Sequence, residues 1–331
     1  MGGNKLLKNK TVLVTGGTGS FGKNCVKRIL QDDQVDKVIV FSRDELKQFE
    51  MQSLYNSPKL RYFLGDVRDY DRLKQATDGV DIIIHAAAIK QIPAAEYNPM
   101  EAIKTNIIGA ENIVNVAIAN GVEKVIALST DKAANPANLY GATKLCSDKL
   151  MVAGNVLAGK HPTRFAVVRY GNVLGSRGSI IPFFQEQQKH GVLPITDVRM
   201  TRFWLTIEEG VQFVLDSLQR MEGGEIFVPK IPSFKVIDVA EVVAPGIPTK
   251  IIGIRPGEKL HEVMITEDDA IFTVEFDKYY AILAPFLTGS NFYLSNGKKV
   301  PFGFSFTSEN NKHWHSAESF KAVLQTAGLL G

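Results

Sequence analysis

The sequence predicts an α/β chain, a doubly wound parallel sheet with a smaller C-terminal domain. Three observations carry that expectation. Short β-branched apolar runs alternate with helical spacings from residue 11 to 128, the pattern of a parallel sheet covered by helices. The first run, Thr11-Val12-Leu13-Val14-Thr15, passes directly into Gly16-Gly17-Thr18-Gly19-Ser20-Phe21-Gly22 and then into a helix marked by Cys25, Val26, Ile29 and Leu30. Beyond Gly171 the alternation gives way to loops and short elements.

Strand, glycine loop and helix in that order form a phosphate cradle: glycines let the backbone approach a pyrophosphate, and the helix start supplies unpaired N–H groups. The second strand, Val38 to Phe41, ends in Ser42-Arg43-Asp44-Glu45-Leu46-Lys47. A carboxylate there holds a ribose 2′-hydroxyl, whereas Arg suits a 2′-phosphate. Ser42-Arg43, with Lys47 one turn on, points to NADP, although Asp44 and Glu45 stand close enough to keep NAD in contention. The third strand, Arg61 to Val67, ends near Asp66, which could accept from an adenine amino group or simply form a turn. The fourth, Val80 to Ile84, runs into His85-Ala86-Ala87-Ala88-Ile89-Lys90. Small side chains leave room there for a flat ligand, and Lys90 would project into it, while His85 reads as a core-edge residue.

Pro99 starts a helix that runs to Asn120-Gly121. Lys124 to Leu128 is a buried strand, so Ser129-Thr130-Asp131-Lys132 falls at its carboxyl end, where ligands gather in such sheets. Tyr140 and Lys144 follow, four apart on one helix face. An ammonium beside a phenol lowers its pKa towards the range of a proton carrier; the spacing alone fits a solvated helix face equally well. The strand Phe165 to Tyr170 ends in Gly171-Asn172-Val173.

In the C-terminal part, Ile180 to Lys189, Pro194-Ile195-Thr196-Asp197 and Thr201 to Trp204 are short elements, and Thr206-x-x-Glu209 opens a helix with a capping box. Arg255-Pro256-Gly257-Glu258-Lys259 is a charged turn. Arg177, Arg202 and Arg255 would suit a diphosphate ester, and each reads singly as a solvated arginine. The aromatic spacing from Phe292 to Phe306 predicts strands covering an edge, with a short helix near Ser316 to Leu324. His313-Trp314-His315 lacks further ligands, so no metal is expected.

Composition narrows the class. A length of 331 residues with 45% hydrophobic content supports a sizeable core. A net charge of +3, from 38 basic and 35 acidic residues, argues against nucleic acid or a membrane surface as the main partner. Cys25 and Cys146 have no metal-ligand spacing and indicate a reduced, cytoplasmic setting. No apolar run approaches the roughly 20 residues that span a bilayer, and no signal-peptide core opens the sequence.

With these residues in view, the chain resembles the extended short-chain dehydrogenase/reductases, and within them the inverting UDP-N-acetylglucosamine 4,6-dehydratases of pseudaminic acid synthesis. The resemblance covers roughly residues 8 to 266 and rests on the glycine loop, Ser42 to Lys47, Ala127 to Pro136, Tyr140-Gly141-Ala142-Thr143-Lys144, Arg169 to Val173 and Arg255 to Glu262. Its specific part is Asp131-Lys132: relatives that retain the C5 configuration carry Asp-Glu there. The resemblance implies a Rossmann-like NADP-binding domain over residues 1–173 and a mainly substrate-binding domain over 174–331, with short returns to the first. It implies a cofactor site of Thr18, Gly19, Ser20, Phe21, Ser42, Arg43, Asp44, Glu45, Leu46, Lys47, Asp66, Val67, Lys90, Tyr140, Lys144 and Val173. A UDP-sugar site would comprise Ala86, Lys90, Ser129, Thr130, Asn172, Arg177, Ile180, Thr196, Arg255 and Glu258. Catalysis would fall to Tyr140 at the C4 hydroxyl, Lys132 as base at C5, held neutral by burial and neighbouring positive charge, and Asp131 as acid at C6. A homo-oligomer, of which a hexamer is one such closed ring, is also implied. The rival readings are a UDP-sugar 4-epimerase, a retaining dehydratase and a catalytically silent NADP-binding regulator.

Overall fold

The computed structural model describes residues 6–175, 179–286 and 291–330. Six parallel strands, β1 (Thr11–Thr15), β2 (Lys37–Ser42), β3 (Leu60–Leu64), β4 (Ile82–His85), β5 (Lys124–Thr130) and β6 (Arg164–Tyr170), lie in the order β3-β2-β1-β4-β5-β6. Helices cover both faces, so the strands need no alternation: β1 and β4 are buried at every position. The strand order reverses between β1 and β4, and that reversal opens a crevice at their carboxyl ends.

The connecting helices are α1 (Ser20–Leu30), α2 (Glu45–Leu54), α3 (Tyr70–Ala76), α4 (Ile92–Tyr97), α5 (Pro99–Ile103), α6 (Gly109–Ala119) and α7 (Leu139–Leu157). The helix expected from Pro99 to Asn120 is interrupted by a π-helical turn, Lys104–Ile108. That turn places Asn106 where its amide exchanges hydrogen bonds with the backbone of Ile89, at 2.8 and 2.9 Å, and donates to Thr143 Oγ1 at 3.0 Å. The insertion thereby ties the segment after β4 to α7, which carries Tyr140.

Four later strands extend the same sheet. Ile226–Pro229 adds parallel to β6, and Tyr279–Ile282, Thr273–Glu275 and Lys298–Lys299 follow antiparallel. Of the expected edge-covering strands between Phe292 and Phe306, only Lys298–Lys299 lies on this edge. The start of the stretch is a helix, Asn291–Asn296, whose Tyr293 packs in the core against Phe227 and Phe276. Phe306–Thr307 pairs instead with Val263–Ile265. A second, smaller core gathers Ile181, Phe184, Leu193, Phe234 and Phe320 around Trp204, whose ring lies 5.3 Å from those of both Phe234 and Phe320. His315 stacks on Phe234 at 4.8 Å, a packing use of the tail histidine.

Candidate active site

A cavity of about 910 Å³ opens at the carboxyl ends of the parallel strands. Its floor is the turn after β1. Gly16 adopts φ +64°, and a Cβ on Gly22 would come within 2.5 Å of Gly16 O and Gly17 Cα, so only a glycine lets α1 start this close to the strand. α1 begins there with no acidic side chain in its first turn and no side-chain cap, which leaves its N–H groups facing the cavity wall formed by Thr18 to Gly22. The resulting cradle of backbone N–H groups fits a pyrophosphate.

At the end of β2, Ser42, Arg43, Asp44 and Lys47 line the wall. The Asp44 carboxylate caps α2, accepting from Lys47 N at 3.0 Å, and also forms an ion pair with the Lys47 ammonium. Arg43 stays largely exposed, 3.6 Å from Asp66. Asp66 accepts from Arg68 Nε at 2.9 Å, from its Nη2 at 2.6 Å and from its backbone N–H at 3.0 Å. Its carboxylate is therefore spent on the turn, and although burial works the other way, Arg68 and Arg43 hold its pKa below the ordinary value. His85 shares a 2.8 Å hydrogen bond with Thr15 and is fully buried; burial, aided by Lys144, pushes its pKa down to about 3, so it is a neutral core-edge group.

The other half of the cavity holds the acid–base groups. β5 delivers Ser129 and Thr130, and a single 3₁₀ turn, Asp131–Ala133, follows at once. Asp131 is completely buried behind the wall, where its Oδ1 accepts from Thr130 Oγ1 at 2.9 Å and from Lys132 Nζ at 3.0 Å. The Lys132 ammonium lies in the wall, 3.2 Å from Glu262 Oε1. The first turn of α7 packs directly on this 3₁₀ turn at Gly141, which brings Tyr140 into the same wall. Lys144 and Asn172 complete this side. Ser129 donates inward to Asp148 Oδ2 at 2.7 Å, and Arg169 braces that carboxylate at 3.5 Å.

Two expectations about charge are corrected. Lys132 is not held neutral: burial disfavours its charge, but the Asp131 and Glu262 carboxylates outweigh burial and hold its pKa above the ordinary lysine value. Tyr140 is not brought down by Lys144; burial pushes the phenol up to about 12, and the principal cation opposing that shift is Lys132. Burial lowers Lys144 itself, against the pull of Asp148. Asp131 is shifted up, by burial first, with Lys132 opposing.

Most of the expected site residues meet here: Val67, Ala86, Lys90 and Val173 also line the cavity. Glu45, Leu46, Ile180, Thr196, Arg255 and Glu258 do not, and Asp131 lies behind the lining rather than in it. Leu46 is 64% exposed. Arg255 faces Glu258 at 3.9 Å in a turn docked onto α7, where Asn138 donates to Gly257 O at 2.8 Å. Arg177 lies outside the described residues. Arg202, which would suit a diphosphate ester but singly reads as a solvated arginine, is buried and turns into the protein, donating to the carbonyls of Thr201, Leu260 and Lys259 at 2.7, 3.1 and 2.9 Å. Glu262, which sequence reasoning gave no role, is the residue that joins Arg202 to Lys132. Only its place in the segment Arg255 to Glu262 hinted at importance, because a single Glu after a charged turn has no signature of its own.

A switch-point cavity, a glycine cradle and a Tyr-x-x-x-Lys helix define a Rossmann-fold protein of the short-chain dehydrogenase/reductase kind, the fold shared by sugar-nucleotide dehydratases and epimerases. Residues 12–284 match the family described as polysaccharide biosynthesis protein. The chain is 56% identical over 328 residues to UDP-N-acetylglucosamine 4,6-dehydratase (inverting) of Campylobacter jejuni, covering 96% of this chain and 98% of that one. It is 39% identical to UDP-glucose 4-epimerase of Rickettsia canadensis, over 96% of each chain. The X-ray structure of Pen from Bacillus thuringiensis superposes with a TM-score of 0.90 at 34% identity, covering 98% of this chain and 99% of that one. The chain belongs to the polysaccharide biosynthesis protein family, within its inverting UDP-N-acetylglucosamine 4,6-dehydratase branch.

Proposed function

We propose that this chain catalyses NADP-dependent 4,6-dehydration of UDP-N-acetylglucosamine with inversion at C5. The product is UDP-2-acetamido-2,6-dideoxy-β-L-arabino-hex-4-ulose, the entry compound of pseudaminic acid synthesis. The observation that carries the reading is the Lys132 amine beside Tyr140 in one cavity wall, with the buried carboxyl of Asp131 3.0 Å behind that amine: an acid and an amine at the site where a hexose must lose a C5 proton and a C6 hydroxyl.

The chain's residues have separable tasks in this reading. The Thr18–Gly22 cradle holds the dinucleotide pyrophosphate, Arg43 faces the 2′-phosphate because Asp44 is committed to capping α2, and Lys144 holds the nicotinamide ribose. A nicotinamide held there would supply hydride acceptance and donation, which the chemistry at C4 and C6 requires. Tyr140 takes the proton of the C4 hydroxyl. The C4 ketone acidifies C5–H, Lys132 takes that proton, and Asp131 protonates the departing C6 hydroxyl, which leaves as water. Solvent reprotonates C5 from the opposite face, which inverts the sugar, and Tyr140 returns its proton to solvent, so the proton count closes. Ala86, Lys90, Ser129, Thr130 and Asn172 surround the UDP-sugar, and the chain works as a cytoplasmic homo-oligomer with its two domains meeting near residue 173.

The epimerase reading has support from the Rickettsia relatives, since epimerisation needs the same tyrosine. It gives no task to a buried carboxyl paired with an amine, and this pair favours dehydration. Incubation with UDP-N-acetylglucosamine in D₂O, read by mass spectrometry and NMR, decides between them. Loss of water with solvent deuterium at an inverted C5 is expected; a C4 epimer without water loss, or retention at C5, would overturn the reading.

A further inference from the structure

Within the dehydratase reading, on which this inference rests, the base at C5 must start without its proton and the acid at C6 must start with one. The geometry presents the opposite: an ammonium on Lys132 3.0 Å from a carboxylate on Asp131. One proton transfer between the two cures both defects. The Nζ–H bond of Lys132 breaks, an O–H bond forms on Asp131, and no charge enters or leaves the cluster. After elimination, the C5 proton sits on Lys132 and the Asp131 proton has left in water, so the pair returns to its starting ion pair without a further donor.

We propose that Glu262, tethered by Arg202, is the positioning residue that governs where this shared proton rests. Its Oε1 lies 3.2 Å from Lys132 Nζ and 3.7 Å from Arg202 Nε, and its side chain is 3% exposed. With Lys132 charged, Glu262 holds the ammonium in the wall beside the sugar site. When Lys132 gives up its proton, Arg202 keeps Glu262 compensated, so no buried carboxylate is stranded. Arg202 suits this task because three of the four N–H donors on its two terminal nitrogens are bound to backbone carbonyls, which fixes the guanidinium in place. Asp131 Oδ2 and Glu262 Oε2 are both buried with no hydrogen-bond partner among the described residues, leaving acceptor capacity in the cluster for a mobile proton. The other charged or titratable groups that act on Lys132 are Lys90, Lys259 and Tyr140. Lys259 is anchored away by its 2.8 Å bond to Ala134 O, and its burial disfavours its charge.

The test measures Lys132 directly. Acylation of its amine by a small reagent near pH 9, quantified by peptide mass spectrometry, reports the neutral fraction without any turnover. In Glu262→Gln the labelling rate should rise at least about threefold, the ratio set by half a pKa unit, and in Arg202→Gln it should fall by a similar factor. Glu262→Asp, which keeps the charge, should return towards the parent rate. The alkaline limb of the kcat profile should move to lower pH in Glu262→Gln, with KM for the UDP-sugar changed less than kcat. NADP binding and thermal unfolding check that each variant is folded, and either opposite-signed variant suffices if the other is not. Unchanged labelling, or shifts of the same sign in both variants, would overturn the proposal. Failure of the parent enzyme to release water would overturn the dehydratase reading instead, and the labelling result would still report whether Glu262 controls Lys132.

Discussion

Replacing Gly141 by Ala sets two physical effects of opposite sign against each other. Gly141 lies in the first turn of α7, and Ala there improves helix propensity by up to about 1 kcal/mol. An added Cβ, however, would sit 2.2 Å from Lys132 O, 3.0 Å from Lys132 C and 3.1 Å from Pro136 Cβ. Two of those three atoms are backbone in the tight turn that carries Asp131 and Lys132, so no flexible side chain can swing aside. Restoring ordinary contact at 3.4 Å requires the helix start and the turn to separate by about 1.2 Å. Overpacking of this kind costs about 1–3 kcal/mol, and because a 2.2 Å contact with backbone lies at the severe end the contact outweighs the propensity gain, leaving the variant destabilised by up to about 2 kcal/mol. Tyr140 moves with the helix, away from Lys132, and a displacement near 1 Å in a reacting array costs about 10²-fold in rate. Urea unfolding with NADP bound and free, together with kcat on UDP-N-acetylglucosamine, measures both effects. A variant as stable as the parent with kcat within about threefold would refute the claim that the contact between this glycine and the Lys132 carbonyl aligns the site.

Other expectations follow from the same geometry. Lys132→Ala should reduce turnover to background while leaving the NADP dissociation constant within about twofold by fluorescence titration; an unaffected rate would remove the amine from the mechanism. Arg43→Ser should weaken NADP about tenfold or more, the worth of one charge-assisted hydrogen bond, and leave NAD nearly unchanged in the same titration. Asp66 has a folded pKa below its ordinary value, so its contribution to stability is present above about pH 4 and is lost as pH falls through the folded pKa. The stability difference between the parent and Asp66→Asn, read by urea unfolding, should therefore be larger at neutral pH than near pH 3; a difference that grows on acidification would contradict the Arg68 clamp.

Much of the architecture was legible in the chain. The runs Thr11 to Thr15, Val38 to Phe41 and Phe165 to Tyr170 all form parallel strands, because apolar β-branched runs bounded by glycine and polar residues have few alternatives once helices separate them. The glycine loop and the Tyr140 helix were legible for the same local reason, and their cavity follows from strand order. The tail was less so: of the aromatics from Phe292 to Phe306, Tyr293, Phe304 and Phe306 pack on a core built elsewhere while Phe292 and Phe302 are exposed, so their spacing follows no strand and serves the helix Asn291–Asn296 as well.

The sequence by itself determined which chemical groups reach the carboxyl end of β5, since Ser129 and Thr130 end that strand, Asp131 and Lys132 follow without a gap, and backbone direction leaves them no other place. Tertiary structure decided their charge. Burial disfavours the Lys132 ammonium, and it is held by Asp131 beside it together with Glu262 from a distant element, against Arg202; whether Arg202 meets a phosphate or three backbone carbonyls depends on how the Lys259–Glu262 segment folds against it. Electrostatic energies fall off with distance through space rather than along the chain, so residues remote in sequence set the protonation of a site that neighbouring residues build.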